Sequence, residues 1–163
     1  MKKSPRLISL MAALVIGLCI QIPSAWAQGT SPESVVKNFV SAYFMLDNSM
    51  GDYLSEAAKT NENDVDMVEL HLRLQDQDAQ NRGYATSYLQ MHPILTTTQV
   101  LEMDEESAQV QVDVIALRSI NPLYRAVGYI FGLLEEHEFQ DTITLVKEDG
   151  EWKIEPGAFG MPI

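Results

Sequence analysis

Cysteine is almost absent: Cys19 is the single one among 163 residues. It lies inside an apolar run near the N-terminus, so no disulfide framework is available, even in a compartment that permits one. Basic side chains are also scarce, 11 against 23 acidic ones, for a formal net charge of −12. That balance repels phosphate backbones and anionic headgroups and argues against nucleic-acid binding. The N-terminal apolar run, Leu7 to Ile22, is shorter than the ~20 residues a spanning helix needs. Internal repeats and low-complexity stretches are missing as well.

What stands at the N-terminus is a three-part leader. Lys2, Lys3 and Arg6 form a cationic head, and the apolar run follows. Pro23 interrupts it, and Ala25-Trp26-Ala27 puts small residues at the −3 and −1 positions of a cleavage site before Gln28. Residues 1–27 are therefore expected to be a secretory signal peptide. Residues 28–163 are expected to form a single exported domain, periplasmic or secreted, with no stable membrane insertion after cleavage. Leu18, directly before Cys19, is not the small residue a lipid-attachment site requires. The leader takes three basic residues and no acidic one with it, leaving eight basic against 23 acidic, a formal −15. Without disulfides the domain must rest on a hydrophobic core, and its length suffices for one.

Helical signals come first. Ser31 is placed to cap a helix that Pro32 and Glu33 open. Val35, Val36, Phe39, Val40, Tyr43, Phe44 and Leu46 then recur at three-to-four spacing. A short second helix is expected over Met50 to Lys59, and a third over Asp64 to Gln80. Later the period changes to two. Ile94 to Met103, Ala108 to Arg118 and Glu138 to Lys147 read as strands, and Glu148-Asp149-Gly150-Glu151 reads as a hairpin turn into Trp152-Lys153-Ile154. Helices followed by an antiparallel meander give an α+β domain.

The amphipathic first helix ending near Asp47, and the hairpin Lys147-Glu148-Asp149-Gly150-Glu151-Trp152-Lys153-Ile154, together resemble the nuclear-transport-factor-2-like (cystatin-like cone) superfamily. The likeness is greatest to exported bacterial members of unknown function, and it spans nearly all of residues 31–156. It implies N-terminal helices packed in a curved antiparallel sheet, a cone with a pocket inside. The superfamily includes isomerases, dehydratases, polyketide cyclases and non-enzymatic binders. Its steroid isomerases bring a tyrosine hydroxyl from the first helix into the pocket. Here Phe39 has no hydroxyl and Tyr43 lies one turn later, so no catalytic residue is carried over.

The chemistry-bearing residues fall into three groups. Asp66, Glu69 and His71 lie close in sequence, but they lack a four-ligand convergence and a calcium loop glycine, and they read as a solvated acidic helix face. Glu135-Glu136-His137-Glu138 places a histidine among carboxylates, an arrangement able to serve as acid or base. His92 before Pro93 reads as a turn. Ser119 to Leu134 is unusually apolar and holds Tyr124 and Phe131; core insertion, lid over the cone, oligomer contact and membrane contact all compete for it. Candidate pocket residues are Phe39, Tyr43, Tyr124, Phe131 and His137. No cofactor and no metal are expected. The leading reading is a non-catalytic exported binding module for a small apolar ligand or partner segment. The alternatives are a small isomerase or lyase using a pocket carboxylate or His137, and a homodimeric assembly protein using residues 119–134.

Overall fold

The computed structural model describes residues 30–118 and 122–161. The expected leader and its cleavage site lie outside the described residues.

Helix α1 (Pro32–Phe44) starts where the sequence places it. The Ser31 Oγ accepts the Ser34 N–H at 3.3 Å, and Pro32 occupies the first turn, where no N–H is needed. Val36, Phe39 and Val40 on its inner face are wholly buried.

The expected second helix is split. Asn48–Tyr53 is a tight 3-10 stretch capped by the Asp47 carboxylate, and α2 (Glu56–Lys59) is a single turn capped by Ser55. The break falls at Leu54, which pairs in parallel with Ile154 while Ser55 N donates to Ile154 O at 2.9 Å. Sheet pairing outcompetes helical continuation there. Helix α3 (Met67–Asn81) opens on Asp66, whose Oδ1 accepts the N–H groups of Val68 and Glu69, both at 2.9 Å.

The sheet is antiparallel in the order β1 (Met91–Met103), β2 (Ser107–Arg118), β3 (Glu136–Glu148), β4 (Glu151–Ile154). A further helix, α4 (Pro122–Ile130), lies between β2 and β3 in the chain. Strand β1 begins three residues earlier than Ile94, so His92 and Pro93 belong to the strand and not to a turn. Pro93 is tolerated because β1 is an edge strand and a register shift follows at once, between Pro93 and Leu95. A second shift between Val100 and Glu102 also bends β1. In the β3–β4 turn, Asp149 and Gly150 both take positive φ (52° and 85°), the twist a two-residue hairpin needs.

Alternation in β2 puts Ala108, Val110, Val112, Val114 and Ala116 on the buried face. Ile143 and Leu145 of β3 join them, and α1 packs across this face, contacting β1, β2 and β4. The α+β expectation of N-terminal helices against an antiparallel sheet therefore holds.

Candidate functional site

The last turn of α1, at the edge of the core, meets three other parts of the chain. Tyr43, Phe44 and Leu46 form one wall of a cavity of about 190 Å³. His71 and Gln75 of α3, Leu89 and Met91 at the start of β1, Phe139 of β3, and Phe159 of the C-terminal tail complete it.

Aromatic packing organises these walls around Tyr43. Its ring stacks with His71 (centroids 5.0 Å, planes 28° apart) and with Phe159 (5.3 Å, 25°). Phe44 meets it edge-on at 5.3 Å and in turn packs on Phe139 at 4.7 Å. The Tyr43 hydroxyl donates to Phe159 O at 3.0 Å, and Phe159 N donates to Asp141 Oδ2 at 2.6 Å. Phe159 is left-handed (φ 49°, ψ 27°), which costs a side-chain-bearing residue about 1–2 kcal/mol. The two hydrogen bonds hold it there. Burial, and secondarily the Asp141 carboxylate, push the Tyr43 phenol above its ordinary pKa.

His71 is the buried polar side chain of these walls. It is 4% exposed, and its Nε2 is buried with no hydrogen-bond partner among the described residues. Burial lowers its pKa, so the imidazole is neutral at pH 7. An unmet buried polar atom costs about 1–3 kcal/mol, and the residue that carries this one lines the cavity.

The lowered pKa has a measurable sign. The unfolded chain takes up a proton near the ordinary histidine value of ~6.5, whereas the native chain resists until lower pH. The stability His71 contributes is complete above that value and is lost as pH falls through the native pKa. The urea midpoint of the wild type should therefore fall relative to His71→Leu as pH drops from neutrality into the mildly acidic range. A pH-independent difference between the two would mean that His71 titrates normally.

The residues singled out from sequence are not gathered in one place. Tyr43 lines the cavity. Phe39 sits behind it, 0% exposed in the core, with its ring 5.7 Å from that of Tyr43. Tyr124 and Phe131 are 72% and 69% exposed on and just after α4, and neither lines the cavity. His137 lies opposite Ala116 on the face it shares with Phe139; its Nε2 is buried without a partner among the described residues, but outside the cavity lining. Asp66 and Glu69 are exposed, as the reading of a solvated face requires. His71 departs from that face. It stands three residues after Val68 and four before Gln75, on the stripe that α3 turns inward. Periodicity carried that signal, and grouping His71 with the nearby carboxylates hid it.

A wider depression of about 550 Å³ lies beside Ala57–Asn63, Met67 and Pro156. No buried polar side chain lines it. Among the described residues, no three His, Cys, Asp or Glu side chains are grouped to hold a metal ion.

Among the described residues, three α-helices precede a four-stranded antiparallel sheet, the first laid across it with a cavity at its C-terminal end. The fold is α+β, with helices packed against an open four-stranded antiparallel sheet. Solved structures that resemble the chain include two bacterial proteins. One, from Campylobacter jejuni, is described as an NTF2-like transpeptidase; it is 14% identical with a TM-score of 0.44, over 77% of this chain and 97% of that one. The other, from Xanthomonas campestris, is described as a calcium/calmodulin dependent protein kinase II association domain; it is 12% identical with a TM-score of 0.42, over 75% of this chain and 79% of that one. Neither likeness carries an activity or a partner to this chain. No family model and no curated protein matches it.

Proposed function

We propose that this chain is an exported, non-catalytic binding protein that takes a small, flat, largely apolar molecule bearing one hydrogen-bonding group. The single observation behind this reading is an aromatic cavity that counts among its walls His71, a buried histidine whose Nε2 has no hydrogen-bond partner among the described residues. Apolar walls with a few placed polar atoms are the usual make-up of a ligand site. A cavity of about 190 Å³ is below the ~300–1,000 Å³ of drug-sized sites, which favours a single-ring ligand. Stacked rings supply flat surfaces for it, and His71 supplies orientation.

Thermal-shift and calorimetric screening with single-ring compounds tests the proposal. A ligand carrying a hydroxyl, carbonyl or amide should bind the wild type and lose about 3–10-fold in affinity with His71→Leu, the worth of one neutral hydrogen bond. Its purely hydrocarbon analogue should bind both proteins alike. The same substitution should leave the protein as stable or about 1 kcal/mol more stable at neutral pH, since it removes an unmet polar atom. Equal affinities of wild type and variant for the polar ligand would reject the role of His71.

The isomerase or lyase alternative has one observation in its favour, a neutral imidazole able to act as base beside the cavity. Asp141 is poorly suited to share that task. One of its oxygens accepts from Phe159 N and the other from Thr142 N, at 2.6 and 2.8 Å.

A further inference from the structure

Helix α4 follows the end of β2 and makes no extensive contact with the other described helices and strands. Its large apolar side chains nevertheless share one face. Leu123, Tyr124, Val127, Ile130 and Phe131 span an arc of about 120° in helical projection. They are 71, 72, 41, 74 and 69% exposed, and Leu133 beside them is 75% exposed.

The helix end is built, not frayed. Leu133 N donates to Gly128 O at 2.8 Å, and Gly132 is left-handed at φ 62°, the hydrogen bond and backbone of a Schellman turn. Leu134 folds back so closely that a Cβ on Gly128 would stand 2.6 Å from its Cδ2. Together the six leave several hundred Å² of apolar surface in water. A typical monomer's largest patch is about 300–600 Å². A stable complex buries about 800 Å² per partner.

We propose that α4 is a self-association arm, through which two copies of this chain pair helix to helix about a two-fold axis. The face carries no charge, and Arg125 falls outside its arc in helical projection. In a chain with a formal charge of −12, an uncharged face is where two copies meet without bringing like charges together. A basic or acidic partner finds no complement on it, and an anionic lipid surface is repelled by the rest of the molecule. Each copy supplies the same apolar stripe, so the contact is self-complementary. Ile94 and Leu95 of β1, 52% and 54% exposed, lie at the end of the sheet from which the chain enters α4, where Leu95 pairs with Ile115.

Sedimentation equilibrium tests this on protein expressed from the full gene and purified as the cell leaves it. The wild type should be a dimer whose association tightens as salt rises, because salt screens the repulsion between two acidic bodies. Ile130→Asp should weaken association roughly 30-fold or more, as loss of a central apolar anchor does. Tyr124→Ala, an exposed truncation that leaves folding intact, should weaken it about 10-fold. A strict monomer overturns the proposal, as does a dimer that both folded variants leave unchanged. Association that weakens with salt, or a monomer that co-sediments with zwitterionic vesicles, overturns it too.

Discussion

Phe39→Ala is expected to lower the unfolding free energy by about 3–5 kcal/mol, the largest stability effect of any single substitution considered. Phe39 is 0% exposed at the middle of α1. It belongs to the cluster in which Val36 and Val40 meet Val110, Val112, Ile143 and Leu145. No disulfide supports this core, so burial must do the work. Truncation removes a ring's worth of transfer free energy and leaves a void between helix and sheet that neither can close. Domains of this size have roughly 5–15 kcal/mol in total, so the loss is a large fraction. It should lower the thermal midpoint by about 10–20 °C. Calorimetry and urea unfolding measure it directly. A loss below 1 kcal/mol would show that Phe39 is not locked between helix and sheet. Phe39→Leu, which keeps most of the volume, should cost far less.

Most of the framework behind that result was legible in the residues. Ser31-Pro32-Glu33 announced the start of α1 through the capping oxygen and the missing proline N–H. Val110, Val112 and Val114 announced the buried face of β2 by period two alone. These signals are local, so they survive without knowledge of the fold.

The errors share a different cause. Leu54 pairs with Ile154, one hundred residues away in sequence, and no local pattern shows a strand end breaking a helix. His92-Pro93 reads as a turn on local grounds alone; the open edge of β1 is what admits the proline. The site was harder still. Tyr43 was found by helical spacing. His71 was assigned to its carboxylate neighbours in sequence, whereas its neighbour in space is Tyr43. Phe159 and Asp141 form a wall and its support only because the C-terminal tail returns to β3, a long-range contact no spacing rule encodes.

Asp141→Ala is expected to cost about 2 kcal/mol and to release the wall of the cavity at the same time. The carboxylate takes the Phe159 N–H at 2.6 Å, and hydrogen bonds to charged groups are worth about 1.5–3 kcal/mol. Without it, Phe159 has less to hold it in left-handed backbone and should relax toward an ordinary conformation. The Tyr43 hydroxyl would then lose its acceptor, Phe159 O, along with the stacked ring. Three readouts should move together. Urea unfolding reports the stability loss, and hydrogen exchange should show the Phe159 amide losing its protection. Tyr43, followed by NMR in alkaline titration, should ionise at lower pH, since the smaller of the two causes raising its pKa has been removed. Asp141→Asn keeps an acceptor without the charge, so it should retain part of the exchange protection while shifting Tyr43 nearly as far. That split separates the hydrogen bond from the field. Were the Phe159 amide to stay protected in Asp141→Ala, the tail would be held by its ring packing alone, and the aromatic stack would be the true clasp of the cavity.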